Sequence, residues 1–409
     1  MKSVIRHLAS LPTAPANAAR VSKRLPTRGA APTSHPAPAA HGGLWRRLLL
    51  ALCGTGVALG AVHAAYAQEP LLPPPAVTST TIPANGDLNP YGVVFVPDGF
   101  PSFGNIAPGD LLVSNFNNAK NVQGTGTTIV KIVPGAKQAD TFSQLHATPQ
   151  SPIGLTMALG VLRGGFVLVG NTPTTDGTFN TIKPGSLIVV NRNGVAVGEF
   201  KGTPTINGPW GMTIFDQVNH AKVFVSNVLG GNVVRLDVTV DANGVHLVKA
   251  TQVASGYPHR GDPAAVVVGP AGLVYDPVRD VLYVASIVDN AIFAVFGAGN
   301  SQHDGGKGVL IYADNKHLHG PLALALGPNG DLFTSNGDAI NADPALPSEL
   351  VEFTPQGQFV AQLPIDPAPD GAFGIAFRQI IHGHVHFAAV NDNTNAVTDW
   401  NLPFEQAGQ

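Results

Sequence analysis

Cysteine is nearly absent: Cys53 is the only one in 409 residues. Disulfides and cysteine-based metal motifs are thereby excluded, so stability must come from packing. Charged residues make up only 12% of the chain. Glutamate is scarcest: past residue 67 only Glu69, Glu199, Glu349, Glu352 and Glu405 occur. No stretch beyond residue 67 sustains a 3.6-residue apolar period, which rules out a helical bundle or coiled coil. Nucleophilic triad motifs and phosphate-cradling glycine loops are missing too. The chain instead holds 47 Gly and 35 Pro among short runs rich in Val, Ile and Phe. That is the composition of an all-β protein with many tight turns.

Residues 1–67 stand apart, with eight Lys/Arg and no Asp or Glu. Trp45-Arg46-Arg47 precedes an apolar run from Leu48 to Ala67 that ends Ala65-Tyr66-Ala67. Basic flank, apolar core and A-x-A end predict a cleavable secretory signal behind an extended basic, Pro/Ala-rich leader. The expected destination is the periplasm or the exterior, with the membrane met only through the export signal. Residues 68–409 are expected to form one domain. Taking the leader's eight from the 23 basic residues leaves 15 against 26 acidic ones, a formal charge of −11. That balance disfavours nucleic acid, whose phosphates demand a basic surface. The expected partner is a small molecule or a protein.

Within residues 68–409 one phrase recurs six times at roughly fifty to sixty residues, the signature of a stacked supersecondary unit. Pro-x-Gly or a variant opens it: Pro90-Tyr91-Gly92, Pro152-Ile153-Gly154, Pro209-Trp210-Gly211, Pro270-Ala271-Gly272, Pro321-Leu322-Ala323 and Ala372-Phe373-Gly374. A second apolar run ends in Ser-Asn or a variant at Asn115, Asn171, Asn227, Ser286, Asn336 and Asn391. The third repeat reads as four strands, Gly211 to Phe215, Val223 to Ser226, Asn232 to Val238 and Val245 to Val253. Four antiparallel strands per unit, arranged radially, predict a six-bladed β-propeller. The last repeat has room for three strands only. The strand-like run Ala76 to Ile82 is expected to supply its fourth and close the ring.

Tyr283-Val284-Ala285-Ser286 followed by Asp289-Asn290-Ala291-Ile292 resembles the NHL repeat phrase, and Gly208-Pro209-Trp210-Gly211 is similar to the openings of such repeats. The resemblance extends to the SMP-30/gluconolactonase-like lactonases and the streptogramin-lyase-like propellers. It implies the propeller fold. For activity, a lactonase of this kind implies a mouth metal held by Glu, Asn and Asp. No Glu of this chain falls at an opening or a second-strand ending. Where such lactonases carry Asn after Pro, this chain has Tyr, Ile, Trp, Ala, Leu and Phe. A lyase implies a mouth histidine as general base.

In a propeller, the link into the first strand and the link after the second share a face. The openings and endings should therefore ring one mouth of the channel. Tyr91, Ile153, Trp210, Ala271, Leu322 and Phe373 would form an apolar collar, with Tyr91, Trp210 and Phe373 its aromatic members, and Asn115, Asn171, Asn227, Ser286, Asn336 and Asn391 a polar ring, together a small-molecule site. Asn at strand ends also serves local turns, so the ring has a purely structural reading as well. Residues that break the repeat on this face are His259-Arg260-Gly261-Asp262, His317, His319, Asp338 and Asp392. They suggest an anionic or sugar-like ligand, or a metal. His259, His317 and His319 are the catalytic candidates. Asp338 and Asp392 are candidate metal ligands, as is the trio His382, His384 and His386, whose alternation points three imidazoles one way. Aligning the endings puts that trio in the turn between first and second strands, on the opposite face. No cofactor is expected. A metal, if held, would be Ca²⁺ or another divalent ion at the mouth. The combined expectation is an exported binding or scaffold module. The alternative is a metal-assisted hydrolase or lyase.

Overall fold

The computed structural model describes residues 77–148, 151–202, 205–380 and 384–403. Among them there is almost no helix, only a 3-10 turn at Phe179–Thr181. The first strand, β1 (Val77–Thr80), is followed by β2 (Leu88–Phe95), β3 (Leu111–Asn117), β4 (Thr128–Ile132) and β5 (Asp140–Gln144), which form blade one. Blade two is β6 (Leu155–Leu162), β7 (Phe166–Asn171), β8 (Ser186–Asn191) and β9 (Ala196–Lys201). Blade three is β10 (Pro209–Asp216), β11 (His220–Asn227), β12 (Asn232–Asp241) and β13 (Gly244–Ser255). A small hairpin follows, β14 (Arg260–Asp262) with β15 (Val266–Val268). Blade four is β16 (Pro270–Asp276), β17 (Val281–Ser286), β18 (Ala291–Phe296) and β19 (Val309–Tyr312). Blade five is β20 (Pro321–Leu326), β21 (Leu332–Asn336), β22 (Glu349–Phe353) and β23 (Phe359–Pro364). Blade six has β24 (Ala372–Ile380), β25 (His384–Asn391) and β26 (Ala396–Pro403), and its outer edge is β1.

The blades close a ring. Inner strand packs on inner strand in the cycle β2, β6, β10, β16, β20, β24 and back to β2. β1 pairs antiparallel with β26 from Val77↔Asp399 to Thr80↔Ala396. Just beyond β1, the N–H and hydroxyl of Thr81 both donate to the Asn395 carbonyl at 2.9 Å. The pairing covers the edge of β26 and gives blade six its fourth strand, so the chain's first described strand is fastened to its last.

Two local rules repeat around the ring. Every inner strand carries a register shift beside its opening, at Pro90/Gly92, Leu155/Leu159, Pro209/Gly211, Pro270/Leu273, Pro321/Leu324 and Ala372/Ile375. A bulge re-aims side chains and bends the strand. The second rule explains the recurring Gly and Ser. The Gly211 N–H donates to Ser226 Oγ at 2.9 Å, and that hydroxyl donates to the Ala271 carbonyl of the next blade at 2.6 Å. A Cβ on Gly211 would lie 2.1 Å from the same carbonyl. Blade one repeats the clasp with Gly92, Ser114 and the Thr156 carbonyl, and blade five with Ala323, Ser335 and the Phe373 carbonyl. Blade two has Gly170 in place of Ser, and Thr156 Oγ1 reaches the Pro209 carbonyl instead, at 2.8 Å.

Between the blades the sheets bury alternate apolar side chains. Leu112, Ile129, Leu159, Val167 and Ile188 fill the seam of blades one and two. Each such side chain contributes about 1.5–3 kcal/mol of burial. This is the stabilisation that replaces disulfides.

Candidate functional site

Each opening, or in blade two the residue directly after it, faces its ending across the inner pair: Pro90↔Asn115, Leu155↔Asn171, Pro209↔Asn227, Pro270↔Ser286, Pro321↔Asn336 and Ala372↔Asn391. The two motifs therefore share one face of the wheel, and a hollow of about 440 Å³ opens there.

Its floor is aromatic. Tyr91 stacks on Phe116 with ring centroids 5.0 Å apart, and Phe373 meets Tyr91 edge-on at 4.9 Å. Beneath them Trp210 sits edge-on to Tyr91 at 5.8 Å and to Phe116 at 5.5 Å. Its indole N–H donates to the Tyr91 hydroxyl at 3.1 Å. Burial raises the Tyr91 hydroxyl far above its ordinary value. Tyr91, Phe116 and Phe373 line the hollow, and Trp210 supports them from below.

The walls come from loops. The hairpin of β14 and β15 brings Asp262, Val267 and Val268 to the rim. Gln123, on the loop after β3, donates its side-chain amide to the Ala264 carbonyl at the hairpin tip, 2.6 Å away. Loops of blades five and six add Asp338, Asp370 and Asp392. Asn89, Asn117, Asn121 and Asn393 complete the polar part. Among the described residues the lining holds no Lys, Arg or His.

The four carboxylates differ in environment. Burial would raise Asp262, but the N–H groups of Ala265 and Ala264 and the Arg260 guanidinium outweigh it and hold it below the ordinary range. Asp338 accepts the N–H groups of Ser348 and Asp370, both at 3.0 Å on Oδ2, yet burial dominates and raises it. Asp370 is raised by burial and by the neighbouring charges of Asp338 and Asp262. Asp392 is pushed up to about 7, chiefly by burial and then by Asp370. Such displaced values cluster where chemistry or binding happens.

The asparagines of the ring work as clamps. Asn336 Oδ1 accepts the His319 N–H at 2.9 Å, while its amide donates to the His317 carbonyl at 2.8 Å and to Glu349 at 3.1 Å. Asn227 holds the Asn207 N–H and the Thr205 carbonyl in the same way. Asn171 holds the Gly154 N–H and the Pro152 carbonyl. Asn115 reaches the Thr81 carbonyl at 3.1 Å, and Asn391 reaches Asp366 at 2.9 Å. Ser286 donates to Asp289 at 2.8 Å. Each amide fastens the loop that enters its blade, and none of these six residues lines the hollow. Ile153 turns into the seam of blades one and two.

The histidines do not converge. His317 stacks on Phe359 of the outer strand β23, with ring centroids 3.8 Å apart, and pairs with Asp314. His259 rests near the Tyr257 carbonyl, 3.4 Å away, against Gly231. His319 is buried behind the mouth wall, where its Nδ1 donates to the Asn341 carbonyl at 2.5 Å and its Nε2 lies 3.9 Å from Glu349 Oε1. The residues that break the repeat thus split, Asp262, Asp338 and Asp392 lining the hollow and the three histidines standing outside it. His384 and His386 begin β25 as strand residues rather than lying in a turn, paired to Asn401 and Asp399. His382 lies outside the described residues. Among the described residues no group of three or more His, Cys, Asp and Glu is placed to hold a metal ion.

Phe116, Asn117, Asp370 and the β14–β15 hairpin were not singled out from the sequence. Phe116-Asn117 directly follows the Asn115 ending, and Val266-Val267-Val268 is a short apolar run after a Gly-Asp-Pro turn. Those were the available signals. A second depression, about 530 Å³, lies between turns of blades two and three on the opposite face, lined by Asn191, Asn219 and Asp241. It has neither the aromatic floor nor the carboxylate array.

No protein-family model and no curated protein sequence matches the chain. Solved structures similar to it share low identity. A Thermus thermophilus protein described as an oxidoreductase (glucose dehydrogenase) is 12% identical, with a TM-score of 0.47 over 79% of this chain and 99% of that one. A luciferin-regenerating enzyme is 9% identical, with a TM-score of 0.46 over 81% of this chain and 96% of that one. A Bacteroides caccae protein of unknown function is 13% identical, with a TM-score of 0.41 over 65% and 80%. The class of this protein is defined by its own topology: a six-bladed β-propeller with a blind hollow at one mouth.

Proposed function

We propose that the protein is a binding module of NHL-like type that takes a small molecule into the mouth hollow. One observation carries this reading. The channel is plugged by the Tyr91, Phe116, Phe373 and Trp210 cluster, so the mouth is a cup with an apolar floor and polar walls rather than an open pore. Apolar area with a few orienting polar groups is what small-molecule recognition uses. The anion-binding reading loses support because no basic side chain lines the cup among the described residues. One observation favours a hydrolase or lyase instead. Asp392, pushed up to about 7, could exchange a proton near neutrality. No described histidine stands beside it as a partner.

A thermal-shift screen of a chemically mixed library tests the reading. Ligands that raise the melting temperature should lose that effect in Phe373→Ala and keep it in Asn243→Ala on the opposite face. Ligands indifferent to Phe373 would overturn it, and turnover of a bound ligand that stops in Asp392→Asn would favour the enzyme reading. Export is part of the same proposal. N-terminal sequencing of the mature protein outside the cytoplasm, starting at or near Gln68, would support it.

A further inference from the structure

Resting on the mouth as a binding cup, we infer that its ligand is an organic cation, an ammonium or guanidinium group on an apolar stem. Three independent features point there. Four carboxylates line the cup and no basic side chain among the described residues does. Only Asp262 has a salt-bridge partner, Arg260 at 3.0 Å, about half exposed at the rim, while His319 behind the wall is the one imidazole that acts on Asp338.

The second feature is a set of unpaired oxygens. Asn89, Asn117 and Asp338 line the cup at 6%, 3% and 7% exposure, and in each Oδ1 is buried without a hydrogen-bond partner. Leaving a buried acceptor unpaired costs free energy, and here all three are oxygens. Together with the carboxylates they give the cup a negative field with nothing in the described lining to balance it. A donor-rich cation complements that field. A neutral polyol would offer donors but add its own oxygens to an oxygen-rich wall, and it would leave the carboxylate charge uncompensated.

The third feature is the floor. The Tyr91, Phe116 and Phe373 rings pack on one another and are each less than a tenth exposed, so they form a rigid apolar base for the ligand's stem. Burying an apolar stem against that base adds affinity in proportion to the area removed from water. A compact metal ion suits the arrangement less, because the carboxylates are spread around a cup and no described trio is gathered to ligate one.

Calorimetry at low ionic strength and pH 8 tests this with phenethylamine, agmatine and choline as cations. The neutral and anionic counterparts are 2-phenylethanol and phenylacetate, and CaCl₂ tests the metal. At least one cation should bind tenfold or more tightly than 2-phenylethanol, and phenylacetate should not bind. Asp392→Asn should weaken that cation at least fivefold and leave 2-phenylethanol unchanged. Asp338→Asn should do likewise. If it fails to fold because its Oδ2 contacts are lost, Asp392→Asn alone decides. If 2-phenylethanol binds as well as the cations and Phe373→Ala abolishes both, the cup stands and the charge inference falls. If Ca²⁺ binds stoichiometrically and excludes the cations, or if no cation binds, the inference falls. Binding of any probe that ignores both Phe373→Ala and Asp392→Asn would remove the cup as well.

Discussion

Trp210 donates its indole N–H to the hydroxyl of Tyr91 at 3.1 Å, joining blade three to blade one. The two blades do not adjoin in the ring, so the side chains meet in the channel itself. The contact turns a pore into a cup.

Removing the acceptor leaves a buried indole N–H without a partner. Tyr91→Phe is expected to destabilise the protein by about 1–3 kcal/mol, read from urea denaturation followed by tryptophan emission. The ring packing is retained, so the fold and the cup should persist.

The clasp between blades depends on the missing side chain of Gly211. Gly211→Ala would place a methyl 2.1 Å from the Ala271 carbonyl, on backbone that cannot yield without opening the ring. A loss of about 1–3 kcal/mol or more is expected from such overpacking. Gly198→Ala is the control, since its nearest neighbour would be 3.9 Å away. Thermal denaturation of the two variants should separate them clearly, and equal melting temperatures would contradict the clasp.

Asn336 holds three groups at once: the His319 N–H, the His317 carbonyl and Glu349. Asn336→Ala should cost about 1–3 kcal/mol through the partners it strands. Hydrogen exchange should show the loss concentrated in the loop entering blade five. A variant whose protection there is unchanged would remove the clamp reading.

Asp392 predicts a pH dependence. Its carboxyl rises from 3.8 to about 7 on folding. Between those values the folded chain keeps the proton and the unfolded chain has lost it. Stability therefore falls as pH rises through this window and levels off above it. Asp392→Asn should flatten that slope, stabilising the protein more at pH 8 than at pH 5, measured by denaturation at both. A parallel dependence in both proteins would assign the slope to other groups. Cation affinity should move the opposite way, strengthening as Asp392 ionises.

The wheel was legible because its cause is local. Pro-x-Gly and Ser-Asn recur because the bulge recurs in all six blades, the Asn clamp in five and the Ser clasp in three, and short alternating runs become strands whatever surrounds them. Even the closing strand showed itself, since the run Ala76 to Ile82 had no blade of its own while blade six was one strand short, and Val77–Thr80 within it pairs with β26. The same regularity left two readings of the ring open. Five repeated amides and Ser286 could be a ring of ligands or a set of turn residues, and the amides of Asn115, Asn171, Asn227, Asn336 and Asn391 bond the loops beside them. Repetition marked what every blade needs to fold.

The sequence by itself determined the number of blades, their strand order and the face on which the openings gather, because these follow from periodicity and turn chemistry within about sixty residues. Only the tertiary structure decided which side chains meet there. Asp262, Asp338, Asp370 and Asp392 come from separate loops, Phe116 follows a strand end, and Tyr91 touches Trp210 across 119 residues. Such meetings depend on how far each bulge turns its side chain and on a hairpin folded over the rim. Neither leaves a period in the chain to be read.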